Sequence, residues 1–148
     1  MTDRIERTVD LAAPVERVWH ALTDHVEFGT WFRVKIDAPF TLGSVATGRI
    51  THPGYEHLKW EATIRTLDPP RLLAFTWHPY AVDADRDYSE EPPTLVEFRL
   101  EPLGDGKTRL TVTESGFDAL PPDRKPLALR MNADGWTQQL TNIAAHVE

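Results

Sequence analysis

The sequence predicts an α+β protein in which an antiparallel sheet packs against one long C-terminal helix. Apolar residues recur at i, i+4, i+7 and i+11 from Leu129 onward, the pattern of a single helix face. Nearly everything between Val34 and Ser115 consists instead of short strand-like runs separated by turn residues. Because an amphipathic helix must bury its apolar stripe, and the sheet is the only large partner available, the two are expected to pack together around a hollow.

Three segments are predicted to be helical. The long helix covers Arg124–Glu148, and its apolar stripe comprises Leu129, Ala133, Trp136, Leu140, Ile143, Ala144 and Val147. A first short helix covers Pro14–Thr23, where Pro14 suits the first helical position because its missing N–H would be unpaired there anyway. Asp24 is expected to cap a second short helix, which we expect Gly29 to end.

Seven strands are predicted, and each is bounded by turn chemistry. They are Arg4–Leu11, Val34–Asp37, Val45–Thr51, Leu58–Leu67, Arg71–Trp77, Thr94–Leu100 and Thr108–Glu114. The run Leu103-Gly104-Asp105-Gly106 is typical of a hairpin loop between the last two strands. Strands joined mainly by hairpins form an antiparallel sheet, so the predicted order is one strand, two short helices, six strands and the long helix.

Composition limits the classes of function. A length of 148 residues with 41% hydrophobic content suits a single domain over residues 1–148. The formal net charge of −7 argues against nucleic-acid binding. The sequence contains neither a run of apolar residues long enough to span a bilayer nor an apolar secretory leader, so a cytoplasmic location without membrane insertion is expected. The absence of cysteine excludes disulfides and thiolate ligands.

Four segments carry a resemblance to a known superfamily. They read VDLAAPVERVWHALTD (Val9–Asp24), LDPPRLLAFTW (Leu67–Trp77), TVTESGF (Thr111–Phe117) and DGWTQQLTNIAAHVE (Asp134–Glu148). In this order and spacing they resemble helix-grip, START-like proteins of the SRPBCC superfamily, in the branch named for activators of the heat-shock protein 90 ATPase. The resemblance implies a curved seven-stranded antiparallel sheet wrapped around the C-terminal helix, with a cavity between them. Superfamily members include carriers of hydrophobic ligands, polyketide cyclases and co-chaperone domains.

Glu114 is the leading candidate for chemistry. It shares strand parity with Leu110 and Val112, so its carboxylate is predicted to point inward near the cavity, where it could act as a general acid or base or orient a ligand. The alternative is a strand-end glutamate that reaches solvent or caps a backbone N–H. Arg7, on the inner parity of the first strand, could pair with Glu114 or could extend to water.

Polar residues on the last helix and aromatic residues elsewhere complete the candidate site. Asn132, Gln139 and His146 are spaced by seven along one flank; the first two could contact a ligand or be satisfied by water and backbone, and His146 is expected to be exposed. The candidate ligand-binding residues are Trp60, Phe75, Trp77, Tyr80, Phe98, Glu114, Phe117, Asn132, Trp136 and Gln139. Trp60, Trp77, Tyr80 and Tyr88 are expected at the rim of the cavity.

Other kinds of site find little support. The histidines show no metal-binding spacing, and nucleophile-elbow, phosphate-loop and dinucleotide motifs are absent, so neither a metal nor a cofactor is predicted. The loop Asp83–Glu91 holds five acidic residues against Arg86, a composition typical of a solvated mobile loop. A cation site or a partner-docking face is the alternative there.

Three functions remain open. The first is binding of a small hydrophobic or aromatic molecule between sheet and helix. The second is a chaperone-related interaction module that uses the acidic loop to meet a protein partner. The third is an enzyme of the cyclase, dehydratase or hydrolase type that uses Glu114 as its carboxylate. The chain is compatible with a monomer or with a homodimer formed through a sheet edge.

Overall fold

A computed structural model describes residues 4–82 and 85–148 of the chain. The elements in chain order are β1 (Arg4–Leu11), α1 (Val15–Thr23), α2 (His25–Phe32), β2 (Val34–Ile36), β3 (Val45–Ile50), β4 (Lys59–Asp68), β5 (Leu72–Trp77), β6 (Thr94–Gly104), β7 (Lys107–Ser115), a short 3-10 helix (Phe117–Ala119) and α3 (Lys125–Val147). The order of strands and helices matches the order predicted from the sequence.

The seven strands form one antiparallel sheet in the order β1-β7-β6-β5-β4-β3-β2. The first and last strands are neighbours, with pairing that runs from Arg4↔Ser115 to Leu11↔Thr108. This arrangement places β7 beside both β1 and β6. The α+β class and the helix-grip arrangement are therefore confirmed.

Helix α3 buries the stripe that its sequence pattern predicts. Trp136, Leu140, Ile143 and Val147 are buried, and the remaining stripe residues are partly buried against the same core. The helix packs on β1, α1 and α2. Of the helices that the structure describes, none is both long enough and apolar enough to cross a lipid bilayer.

Helix α2 differs from its prediction at its C-terminal end. Asp24 caps the helix as expected, since its side chain accepts a hydrogen bond from the backbone N–H of Glu27 at 3.0 Å. The helix does not end at Gly29; it continues to Phe32 and ends at Arg33, which takes a left-handed conformation with φ 71°. Gly29 serves a different purpose, because a Cβ atom there would lie 2.2 Å from the backbone oxygen of Val34.

Several strand ends also differ from the prediction. β6 runs on to Gly104 instead of ending at Leu100, and β7 begins at Lys107. The connection is thus a tight turn whose two residues, Asp105 and Gly106, both have positive φ (54° and 72°), which suits the right-handed twist of a hairpin. The long β6–β7 hairpin and the β1–β7 pairing hold Glu114 in the middle of three strands.

Candidate functional site

Glu114 lies on the inner face of β7 and is completely buried. Its neighbours on the same face, Leu110 and Val112, are also fully buried, as the strand parity predicts. Glu114 stands opposite Ile5 on β1 and Val96 on β6. The carboxylate is thus set into an apolar interior from a rigid central strand.

Four side chains donate hydrogen bonds to this carboxylate. Oε1 accepts from the indole N–H of Trp136 at 2.8 Å and from the amide of Asn132 at 2.9 Å. Oε2 accepts from the indole N–H of Trp77 at 2.7 Å and from the hydroxyl of Thr94 at 2.5 Å. The Asn132 amide also lies 3.2 Å from Oε2. The donors come from β5, the first residue of β6 and α3.

All four donors are uncharged, so Glu114 is a buried carboxylate held without a cation. An indole N–H can only donate, which makes both glutamate oxygens acceptors. Burying a charge is costly unless hydrogen bonds replace its hydration, and here each oxygen receives at least two. The arrangement can hold the carboxylate in place, and it can bind a donor group of a ligand wherever one protein donor gives way.

Aromatic rings surround the carboxylate. Trp77 and Trp136 are stacked, with centroids 5.7 Å apart and an interplanar angle of 27°. Phe32, at the end of α2, contacts both of them edge-on, at 6.0 and 6.1 Å. The cluster continues through Phe98, which lies 5.6 Å from Trp136, and through Trp60, which lies 6.3 Å from Trp77.

The rings occupy the space between sheet and helix. Their centroid separations of 4.8–6.5 Å are those of direct aromatic contact. Two open grooves border this region, the first of them between β1 and α3. One, of about 370 Å³, is lined by Arg7, Thr8, Val9, Thr137, Leu140, Thr141 and Ala144, and the other, of about 290 Å³, is lined by Asp37, Thr47, Gly48, Arg49, Lys59, Trp60 and Glu61. A ligand that reaches Glu114 therefore has to displace or separate aromatic side chains.

The structure brings most of the sequence-predicted residues into this cluster. Phe75 and Phe98 are buried beside Trp60, Trp77 and Trp136, and Asn132 reaches Glu114 from α3. Phe117 is fully buried in the core within the short 3-10 helix. Tyr80 is partly buried against the same core.

Two predicted placements around this cluster differ in the structure, those of Trp60 and Arg7. Trp60 does not lie at a rim, because it is 4% exposed within the aromatic cluster. Gln139 follows one of its two predicted alternatives, since it donates to the backbone oxygen of Phe32 at 3.0 Å at the end of α2. Arg7 does not pair with Glu114; its guanidinium donates to the hydroxyl of Thr137 and to the backbone oxygen of Glu6. These partners follow from how α3 crosses β1 and α2, which the local sequence does not encode.

Two participants were not singled out from the sequence. Thr94 resembles an ordinary first strand residue, yet it is fully buried and donates to Glu114. Phe28, on α2, is fully buried and contacts Trp31, Phe32, Phe40 and Trp60. The apolar composition of α2 is the signal that could have identified Phe28. The role of Thr94 follows from the strand register that places it opposite Trp77, and the local sequence carries no signal for that pairing.

The acidic loop is partly folded back onto the protein. Arg124, 6% exposed, donates to Glu91 at 2.9 Å and to the backbone oxygens of Pro79 and Tyr80 at 2.5 and 3.0 Å. Arg86 also pairs with Glu91, at 2.9 Å. The side chain of Glu91 is 8% exposed, in contrast to the expected solvated loop, while Asp83 lies outside the described residues.

A second polar cluster joins the three helices. Glu27, on α2, forms an ion pair with Arg17 at 2.5 Å and hydrogen bonds with His20 and, at 2.9 Å, with His146. Burial by itself raises the pKa of the Glu27 carboxyl, but the hydrogen bonds from Arg17, His146 and His20 outweigh burial and lower this pKa from 4.5 to about 2. His146 is 20% exposed and engaged here, whereas the sequence favoured an exposed residue.

Metal binding finds no support in the described ranges. Within residues 4–82 and 85–148, no three histidine, aspartate or glutamate side chains are arranged to hold a metal ion. His20, Glu27 and His146 instead link the three helices through hydrogen bonds and ion pairs.

Comparison with known proteins identifies the family. The family model described as "Activator of Hsp90 ATPase homolog 1-like protein" matches residues 12–148. No protein with a curated description matches the chain.

Solved structures share the fold at low sequence identity. A protein from Arthrobacter aurescens matches with a TM-score of 0.77 and 20% identity over 98% of this chain and 86% of its own. CV1439 from Chromobacterium violaceum matches with a TM-score of 0.72 and 24% identity over 100% and 99%. DynU16, a protein in the dynemicin biosynthetic locus, matches with a TM-score of 0.74 and 23% identity over 99% of this chain. That match spans only 47% of the DynU16 chain.

Proposed function

The chain belongs to the family of activator of Hsp90 ATPase homolog 1-like proteins, and from this premise we propose that it binds a small aromatic or hydrophobic molecule between the sheet and α3. The observation that carries this proposal is the buried carboxylate of Glu114, held by uncharged donors inside a shell of tryptophan and phenylalanine rings. Such a site combines large apolar contact with a single directional polar group, the combination that orients small ligands.

Asn132 is the donor that a ligand can replace most readily. It is only half-buried on α3, whereas Trp136 and Thr94 are buried and Trp77 is stacked on Trp136. A ligand hydroxyl can replace the Asn132 amide as a hydrogen-bond donor to Glu114, so the carboxylate keeps its full set of hydrogen bonds. The aromatic ring of the ligand then replaces contacts between protein rings with equivalent contacts between protein and ligand. The expected ligand is thus a planar, uncharged molecule with a hydroxyl donor.

Binding is favoured over the two other functions. Acid–base catalysis by Glu114 calls for a second titrating group beside it, and its four hydrogen-bond partners are two indoles, an amide and a hydroxyl. Docking of a protein partner through the acidic loop is weakened because Glu91 is paired with Arg86 and Arg124. The occurrence of DynU16 in a biosynthetic locus supports a small-molecule role for the fold, although this chain spans less than half of that protein.

The experiment compares 2-naphthol with naphthalene by isothermal titration calorimetry. We expect 2-naphthol to bind more tightly because only its hydroxyl can donate to Glu114. Asn132→Ala should strengthen binding of 2-naphthol and leave naphthalene unchanged, since it removes the competing donor. Asn142→Ala, on the same helix but bonded to Gln138 and Gln139, is the matched control and should change neither affinity. Absence of binding by both compounds would overturn the proposal.

A further inference from the structure

Trp60 carries a buried N–H group without a hydrogen-bond partner. Its indole nitrogen is the one buried side-chain polar atom, within residues 4–82 and 85–148, that lacks a partner. The residue is 4% exposed, so its N–H group is removed from bulk solvent. Buried polar groups are hydrogen-bonded in the great majority of cases, and each exception calls for an explanation.

Three other tryptophans show that this fold supplies acceptors for indole N–H groups elsewhere. Trp31 donates to the backbone oxygen of Ala21 at 2.8 Å. Trp77 and Trp136 donate to the two oxygens of Glu114. Trp60 belongs to the same aromatic cluster, and its lack of an acceptor is therefore specific to its position.

The rings that contact Trp60 offer its N–H no ordinary acceptor. Its ring contacts Phe28 at 5.8 Å, Phe32 at 6.0 Å, Phe75 at 5.9 Å and Trp77 at 6.3 Å. Phenylalanine and tryptophan side chains supply only π faces, which are weak acceptors. A molecule that enters the cluster can supply the acceptor that these rings lack.

We infer that the ligand of the interior site carries an uncharged carbonyl oxygen that accepts the hydrogen bond of the Trp60 indole N–H. This inference rests on the proposed function and adds the second polar group of the ligand. Trp60 contacts Trp77, which itself donates to Glu114, so Trp60 and the carboxylate share Trp77 as a neighbour. A planar ligand one or two rings wide can reach the N–H while its face rests on these rings.

The charge of the site selects a neutral carbonyl over a carboxylate. Glu114 is buried nearby with uncharged partners, so a second negative charge in the same apolar region would be repelled and poorly solvated. A ketone, quinone or amide oxygen accepts a hydrogen bond without adding charge. The ligand class is therefore a planar aromatic carbonyl compound.

The test uses two probes of nearly the same shape, 2-acetylnaphthalene and 2-isopropenylnaphthalene. The second probe carries a C=CH2 group where the first carries a C=O group. The wild-type protein should bind the ketone about fivefold to tenfold more tightly than the alkene, the range expected for one hydrogen bond to a desolvated group. Trp60→Phe, which keeps a ring but removes the N–H, should bring the ratio of affinities close to one.

Trp31→Phe is the matched control, because it makes the same chemical change in the same cluster at an N–H that is already paired. The ratio should stay at its wild-type value in this variant. In a 15N-labelled sample, the indole N–H resonance of Trp60 is identified as the one that is missing in Trp60→Phe. The proton shift of this resonance should move downfield when the ketone is added and should not move when the alkene is added.

Three results would overturn the inference. If ketone and alkene bind equally well to the wild type, or if Trp60→Phe keeps the preference for the ketone, the carbonyl does not use Trp60, although interior binding stands. If neither these probes nor 2-naphthol bind, the proposed function fails together with the inference.

Discussion

Trp77 and Trp136 stack at 5.7 Å, and their indole N–H groups donate to different oxygens of Glu114. Trp77 belongs to β5 and Trp136 to α3, so one carboxylate joins the sheet to the closing helix. The stack shields the carboxylate from water, and the carboxylate in turn fixes the orientation of both rings. Packing and hydrogen bonding at this point depend on each other, which has measurable consequences.

Replacement of Glu114 by glutamine should destabilise the protein. The glutamine oxygen can keep one pair of donors, and Asn132 can turn its amide, but one indole N–H then faces an NH2 group. An unpaired buried donor costs about 1–3 kcal/mol, so the free energy of unfolding in urea should fall by that amount.

The control for this substitution is Glu61→Gln on the exposed side of β4, which should leave stability nearly unchanged. A Glu114→Gln variant that is more stable than the wild type would contradict the prediction. That result would mean that the desolvation penalty of the buried carboxylate exceeds the stabilisation from its hydrogen bonds.

Arg124→Met should loosen the loop between β5 and β6. The substitution leaves Glu91 and the backbone oxygens of Pro79 and Tyr80 without their shared donor. Because Arg86 still pairs with Glu91, the expected loss is about 1–3 kcal/mol, the cost of buried acceptors left unsatisfied. Tyr80 has a positive φ of 48°, and we expect the faster amide hydrogen exchange to be concentrated around it.

Arg130→Met, at an exposed position of α3, is the matched control and should change neither stability nor exchange. If hydrogen exchange near Tyr80 is the same in Arg124→Met and wild type, Arg124 does not hold the loop.

Gly29→Ala and Gly135→Ala should have opposite effects on stability. Both glycines lie in helices, but a Cβ at Gly29 would lie 2.2 Å from the backbone oxygen of Val34, whereas one at Gly135 meets nothing within 4 Å. Overpacking at Gly29 should lower the free energy of unfolding by about 1–3 kcal/mol. Alanine at Gly135 should raise it by about 0.5–1 kcal/mol because of helix propensity. If the two substitutions change the melting temperature by the same amount, the close contact between Gly29 of α2 and Val34 of β2 is refuted.

Stability should depend on pH through Glu27. Its pKa is about 2 in the folded protein and 4.5 when unperturbed, so the unfolded chain binds a proton first as the pH falls. The stabilisation by Glu27 is therefore complete above 4.5 and is lost as the pH falls from 4.5 towards 2.

Urea denaturation of wild type and Glu27→Gln across this range should give a difference in stability that shrinks with decreasing pH. Glu16→Gln, in the first turn of α1 and exposed, serves as the control and should run parallel to the wild type. A constant difference between wild type and Glu27→Gln would contradict the assigned pKa.

The amino-acid pattern alone determined the framework of this protein. The stripe from Leu129 to Val147, the order of seven strands, the Asp24 cap and the inward parity of Glu114 are all legible in the sequence. These features depend on periodicity and turn chemistry, which act over a few neighbouring residues, so no knowledge of distant contacts is needed.

The identity of each polar partner was decided only by the tertiary structure. Glu114 receives hydrogen bonds from Trp77, 37 positions away, and from Trp136, 22 positions away, and Arg7 meets Thr137 instead of Glu114. Such pairs depend on the angle at which α3 crosses the sheet and on which rings fill the space between them. The unpaired N–H of Trp60 is likewise visible only after every neighbouring ring has been placed, because local sequence encodes the face on which a residue lies but not the atom that it meets.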